Sequence, residues 1–434
     1  MIIVGGGVVG TALLYLLSNY SKARVLLLEK YETNAKLNSN SKNNGQTLHF
    51  GDIETTYTLE KAKRTKAASE MLLVYTSKLP TAQRNTILSK TPQMVLAVGS
   101  EEVEFLRKKY DPKYRALFPG MRMINKKEIG RLEPNLLKGR DRAEALIAAY
   151  SAAGYGIDFG RLSDSFVKKA QGAKVSFNDG VISVKQTTDG YSLKTTKSSY
   201  CARFVVFSAG AQSLKFAKQL GYGLSLSVIP ILGSFYYSRA VVKSKIYTVQ
   251  GGSIPFLGAH ADPDINSKDR TRFGPTITPY PFLEKSKPLT IIDHLNAVGM
   301  DLDYMRSITN IMRNKDLSSA FLRNLGYRIP LLGKPSFVKD QVQKIVPSLR
   351  NEDVKYDISS GGIRPQIIDK SKRSINVGES TLSGESIIFN ITPSPGASSC
   401  LRIALDNANE IARSLDIKLD STRIQEDFKA AAHA

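Results

Sequence analysis

Tryptophan is absent from this 434-residue chain, and cysteine and histidine are scarce, with two and four copies. Cys201 and Cys400 lie far apart, which excludes a disulfide framework or a cysteine-based metal cluster and fits a reducing compartment. No Cys/His spacing of the zinc-binding kind occurs, so no metal is expected. Acidic residues are the minority charge: 39 Asp plus Glu face 61 Lys plus Arg, and 61 − 39 gives +22. That balance points to an anionic partner, whether nucleic acid, an acidic lipid surface or small anions. The cations are nevertheless spread along the chain. The densest runs, "KAKRTK" at 61–66, "RKK" at 107–109 and "KSKR" at 370–373, read as solvated faces. No nucleic-acid-binding module is recognisable, and no nucleic-acid partner is expected. Long apolar runs are missing too. The N-terminal "MIIVGGGVVGTALLYLLSN" has no charged leader and is interrupted by glycines before reaching the ~20 apolar residues a bilayer span needs. A soluble or peripheral protein is expected. There are no internal repeats, and nothing in the sequence sets the oligomeric state.

The chain is long enough for two domains or one elaborated fold, and 42% hydrophobic residues supply a sizeable core. Residues 1–30 read as strand, glycine turn, helix and second strand ("RVLLLE"), a βαβ unit. Only four residues precede Gly5, so the first strand is short. The polar segment 31–54, "YETNAKLNSNSKNNGQTLHFGDIE", is too long for a simple connection and is expected to carry function. Helical patterning covers Tyr57 to Leu79. It returns at "SEEVEFLRKKY", with Ser100 as the expected cap, and at "DFGRLSDSFVKKA", with Asp158 as the expected cap. Short strands occupy 174–195, and "RFVVFSAGAQS" at 203–213 is a buried strand entering a small-residue turn. Residues 224–300 look β-rich, 301–350 helical, and the C-terminal part ends in short strands and an amphipathic helix.

Gly5, Gly7 and Gly10 form G-x-G-x-x-G between the first strand and the first helix. The first glycine permits the turn, the second admits a pyrophosphate to the helix N-terminus, and the third lets helix and strand pack closely. Glu29, 19 residues after Gly10 and followed by Lys30, ends the second strand, where an acid accepts hydrogen bonds from ribose hydroxyls. A second βα turn carries Ala209 and Gly210. Near the C-terminus "TPSPGASSCL" places Pro395, Gly396, Ala397 and Ser398 before a helix whose amides and dipole can stabilise negative charge on a flavin edge. Read alone, that last segment is an ordinary helix start; together the three elements point to FAD. The expected fold is therefore α/β (α+β overall), a Rossmann-like FAD-binding domain (1–75, 150–222 and 355–434) interleaved with a smaller mixed-sheet substrate domain (76–149 and 223–354).

"NNGQTLHFGDIETTYTLEKAK" (43–63), "IPFLGAHADPDI…TRFGPT" (254–276), "KIVPSLR" (344–350), "GGIRPQIID" (361–369) and "IIFNITPSPGASSCL" (387–401) run in order along nearly the whole chain. On these segments the chain resembles the malate:quinone oxidoreductases, FAD proteins with the architecture of D-amino-acid oxidase and glycine oxidase. The resemblance implies oxidation of (S)-malate to oxaloacetate, with the C2 hydride going to flavin N5 and the electrons to a membrane quinone. It also implies a peripheral location on the cytoplasmic face of a bacterial inner membrane or, alternatively, the matrix side of the mitochondrial inner membrane. The +22 charge is compatible with an anionic membrane surface.

Oxidising a 2-hydroxy dicarboxylate requires cations for the carboxylates and a base for the hydroxyl proton. Arg364 and Arg272 offer bidentate forks. His260 is the expected base, and His49 is the alternative, placed nearer the flavin or substrate. In the polar segment Asn44, Gln46 and Thr47 are expected flavin or substrate contacts, with Gln46 on the substrate, and Gly362 joins the cofactor site. His294 and His433 have no comparable setting. Three rival readings stay open at this point: an L-2-hydroxyglutarate dehydrogenase or oxidase of the same fold, a non-catalytic flavoprotein, and a basic nucleic-acid-binding protein with an incidental glycine motif.

Overall fold

Short, continuous apolar runs such as Ile2–Val4, Leu26–Leu28, Val205–Phe207 and Ile387–Ile391 cannot present a polar face, so they are stable only as strands covered on both sides. The computed structural model places them so; it describes residues 1–250, 258–299, 301–329, 331–376, 380–391 and 396–428. Among these, a six-stranded sheet has the order 380–384, 387–391, 205–207, 2–4, 26–28 and 174–176. Its pairs are parallel except for the antiparallel edge strand Ser380–Gly384. The helix Val8–Tyr20 links the first two strands and is buried over most of its surface, packed against the helices Phe159–Lys169 and Cys400–Leu415. This is the doubly wound arrangement that the glycine motif requires.

An eight-stranded sheet holds 355–356, 236–239, 267–274, 260–264, 245–248, 93–98, 146–151 and 121–125 in that order. Alternation along the strand His260–Asp264 sends Ala261 into the hydrophobic core and puts His260, Asp262 and Asp264 on the opposite face. The adjacent strand Lys245–Thr248 is antiparallel to it, with Tyr247 directly across from His260. A four-stranded sheet of 278–279, 226–233, 362–369 and 374–376 lies beside it, its central pair in register over eight residues.

Three local expectations change. Ser100 is the first residue of its helix and not the cap; Gly99, at φ 86°, is the cap, and the Glu102 carboxylate accepts the Val98 N–H at 3.0 Å. Residues 290–298, inside the stretch read as β-rich, form a helix. Arg364 sits on the strand Gly362–Asp369 and not in a turn; the turn is made by Gly361 at φ 100°. Asp158 caps as expected, accepting the Arg161 N–H at 3.0 Å.

Candidate active site

The glycine loop is built as its spacing demands. Gly5 has φ 109°, and a Cβ there would lie 2.5 Å from the Ser208 carbonyl oxygen. A Cβ on Gly10 would lie 2.0 Å from the Gly5 carbonyl oxygen, whereas on Gly7 it would meet only Ser39 Oγ at 3.4 Å. Gly7 is thus the open position, facing a cavity of about 430 Å³. The Glu29 carboxylate accepts the Gly6 N–H at 2.7 Å and the Tyr31 N–H at 2.9 Å, and burial raises its pKa. Lys30 lines the cavity but is neutralised by Glu284. At the Gly7 end of the helix Val8–Tyr20 the Val8 N–H donates to Ser39 Oγ at 3.0 Å, and the helix dipole points at the cavity that Gly7 and Val8 line. We expect Gly10→Ala to abolish stoichiometric flavin binding, because backbone atoms leave no room for the methyl group; the 450 nm-region absorbance of purified protein checks this.

The same cavity is lined by Asn44, Gln46, Thr47, His49, Glu54, Ala209, Gly210, Tyr247, His260, Gly362, Arg364, Ala397 and Ser398. His260 is buried, and its Nδ1 bonds the carboxylate of Asp262. Asp262 and Lys245 have no exposed surface, with Lys245 Nζ 3.4 Å from Asp262 Oδ1 and 3.1 Å from Thr47 Oγ1. The Tyr247 ring stacks on the imidazole at 4.7 Å, and its hydroxyl bonds Thr47 Oγ1 at 2.7 Å. A Cβ on Gly45 would lie 3.6 Å from His260 Cε1 and 3.8 Å from Nε2, so the ring edge not held by Asp262 looks past a residue with no side chain. Burial lowers the His260 pKa despite the opposing Asp262 charge. Asp262 is pulled the other way: burial alone would raise it, but His260 and Lys245 hold it below the usual carboxylate range. The arrangement keeps a neutral imidazole whose Nδ1 proton is fixed by a carboxylate, leaving Nε2 free to accept a proton.

A second His–carboxylate pair lies in the same cavity. His49 Nδ1 bonds Glu54, and its backbone N–H donates to Ser398 Oγ at 3.0 Å. Behind it Asp52 is buried, and burial together with the Glu54 charge pushes its pKa up to about 7. Asp52 Oδ1, Glu54 Oε2 and Gln93 Oε1 are buried acceptors without partners. A carboxyl whose folded pKa exceeds its unfolded value loses stability as pH rises through the folded value. Asp52→Asn is therefore expected to raise the melting temperature at pH 8, with a smaller gain at pH 5; thermal unfolding at both pH values checks this.

Arg364 borders the cavity and has no hydrogen-bond or ion-pair partner among the described residues, and burial lowers its pKa. Arg272 differs from expectation. It is fully buried, does not line the cavity, donates to the Asn44 carbonyl at 2.6 Å, and lies over the Phe235 ring at 4.1 Å. Its register opposite Asp262 on the strand face turns it into a brace for the 41–44 loop. Gln46 reaches the cavity, but its amide is engaged by Asp264 and by the Ile265 N–H. Asn44 bonds within its own loop, to the carbonyls of Asn38 and Asn40. Gly362 is needed for packing as well, since a Cβ would meet the Asn43 carbonyl at 2.6 Å. Gly396 is described but does not line the cavity. Pro395 and His433 lie outside the described residues, and His294 bonds the Pro281 carbonyl away from the site. Sequence reasoning missed Asp262, Lys245, Tyr247 and Glu54. The period-two spacing of "HAD" was the available signal for Asp262; Lys245 carried none, because its partner lies on another strand.

A dinucleotide-type glycine loop, a carboxylate-backed imidazole and an unpaired arginine around one cavity define a flavin-dependent oxidoreductase fold. Glycine oxidase from Geobacillus kaustophilus superposes with a TM-score of 0.63 at 20% identity, covering 95% of this chain and 94% of its own. L-α-glycerophosphate oxidase from Mycoplasma pneumoniae gives 0.64 at 18% identity over 96% and 94%. The sequence profile of the malate:quinone oxidoreductase family matches residues 1–430. A malate:quinone oxidoreductase of Helicobacter pylori is 37% identical over 440 residues, 98% of this chain and 97% of its own. A probable one of Campylobacter jejuni is 35% identical over 444 residues, 99% and 98%. The chain belongs to the malate:quinone oxidoreductase family.

Proposed function

We propose that His260 takes the hydroxyl proton of (S)-malate while Arg364 holds a carboxylate, in a cavity shared with FAD bound along the Gly5–Gly10 loop. One observation carries this reading: the carboxylate-backed imidazole and the only unpaired arginine among the described cavity-lining residues share that cavity with the glycine loop. Bound FAD would supply the acceptor for the C2 hydride and the route by which its electrons reach quinone. The residues fit such a group. Gly7 leaves the backbone open, Glu29 anchors the loop, and Ala397 and Ser398 approach the cavity just before the helix Cys400–Leu415. Asp262 fixes the imidazole tautomer, and Lys245 holds Asp262 charged. His49, tied to Glu54, lines the cavity as a hydrogen-bond donor and not as the base. Parallel-sheet strands fall within 1–75, 150–222 and 355–434, and most strands of the eight-stranded sheet within 76–149 and 223–354, which supports the corresponding division into cofactor and substrate domains. No helix among the described residues is long and apolar enough to cross a membrane, and the proposed location is a peripheral one on the cytoplasmic face of an inner membrane.

The test is the visible spectrum of purified protein before and after anaerobic malate. Loss of the flavin band with malate and not with L-2-hydroxyglutarate is expected. A colourless protein, or one bleached only by 2-hydroxyglutarate, contradicts the reading.

A further inference from the structure

Large apolar side chains exposed singly are normal on a protein surface; a contiguous group is not. Among the described residues, seventeen large apolar side chains are exposed, and twelve of them fall between Leu289 and Leu332. They follow helical spacing: Leu302, Met305 and Met312 along the helix Leu302–Arg313, and Leu322 and Leu325 along the helix Lys315–Gly326, with Ile329 beyond. Beside them Ile311, Leu317 and Phe321 are buried against the sheet residues Ile231 and Ile368. Met305, Met312, Leu322 and Leu325 thus extend each apolar stripe past the part that the sheet covers. Leu289 is 82% exposed, and Leu331 is 93% exposed at a left-handed φ of 68°, a conformation branched side chains rarely adopt.

Cations surround the apolar residues. Between 289 and 334 lie Arg306, Arg313, Lys315, Arg323, Arg328 and Lys334 against Asp293, Asp301, Asp303 and Asp316, so 6 − 4 gives +2; Asp293 and Asp301 are paired with Lys215 and Lys370 outside the face. We propose that this face, 289–334, docks the protein onto a bilayer bearing anionic headgroups, the helices lying in the interface with their apolar sides in the acyl boundary. This rests on the quinone reading, since a quinone acceptor resides in lipid. Charge argues for a membrane over a second copy, because two such basic faces repel. The placement also serves the chemistry. Alternation along Gly362–Asp369 puts Arg364, Gln366 and Ile368 on one face; the first two line the cavity and the third packs under the docking helices.

Co-sedimentation of the intact flavoprotein with vesicles tests this. Wild type should bind phosphatidylcholine vesicles containing phosphatidylglycerol and bind pure phosphatidylcholine weakly. The triple variant Leu322→Ser, Leu325→Ser, Leu331→Ser should lose at least about tenfold in partitioning, while retaining flavin and its turnover of malate with a water-soluble quinone analogue. Unchanged binding by that variant, or no vesicle binding by wild type, overturns the proposal. So does a dimer in light scattering that the variant dissolves. Vesicle binding without malate turnover would remove the functional reading and leave the docking face standing.

Discussion

Replacing His260 with Gln is expected to slow reduction of the bound flavin by malate by about 10²–10⁴-fold, the usual contribution of a positioned general base. Glutamine can still donate to Asp262, so the face carrying Lys245, Tyr247 and Asp262 stays assembled and flavin binding is retained. The loss should fall on the reduction step and not on malate affinity. Stopped-flow absorbance under anaerobic conditions separates the two. Asp262→Asn should cost a similar factor by a different route, since its amide can hold the imidazole in the wrong tautomer and leaves the buried Lys245 cation without its carboxylate.

Arg364→Met is the second large effect. The guanidinium borders the cavity without a partner of its own, so its charge is available to a substrate carboxylate. Losing a charged, bidentate contact in a half-buried setting costs about 3 kcal/mol, or ~10²-fold in kcat/KM for malate. Lysine should recover only part of this, because a single ammonium cannot span both carboxylate oxygens. Steady-state kinetics of both variants check the prediction. By contrast, Arg272→Met should act on stability and on the position of the 41–44 loop, because its bonds run to the carbonyls of Ser41 and Asn44. The two arginines look alike in sequence and differ in what they face.

That difference marks where legibility ends. Gly5, Gly7, Gly10 and Glu29 were readable because a local spacing sets their whole geometry, strand to turn to helix. The same holds for the Asp158 cap, which answers only to its own first turn. His260 was readable as a candidate, yet its neighbours Lys245, Tyr247 and Thr47 come from two distant segments, joined only by sheet register and by the path of the polar loop. Arg272 is expected on a carboxylate because it offers a bidentate fork, and Gln46 on the substrate because it lies in the polar segment. The fold turns Arg272 onto loop carbonyls instead, whereas Gln46 lines the cavity with its amide held by Asp264 and the Ile265 N–H. Whether a polar side chain serves the cavity or its wall depends on strand phase across the sheet, and one strand's sequence does not reveal it.

The pH dependence of anaerobic flavin reduction shows whether the substrate proton goes to His260. Burial lowers the His260 pKa, so the neutral, proton-accepting form persists to acidic pH. The reduction rate is expected to fall only on the acid side of the ordinary histidine value of 6.5. That limb should be present in His49→Gln and absent in His260→Gln. A limb that survives in His260→Gln and disappears in His49→Gln would assign the proton to His49 and rule out His260 as the base.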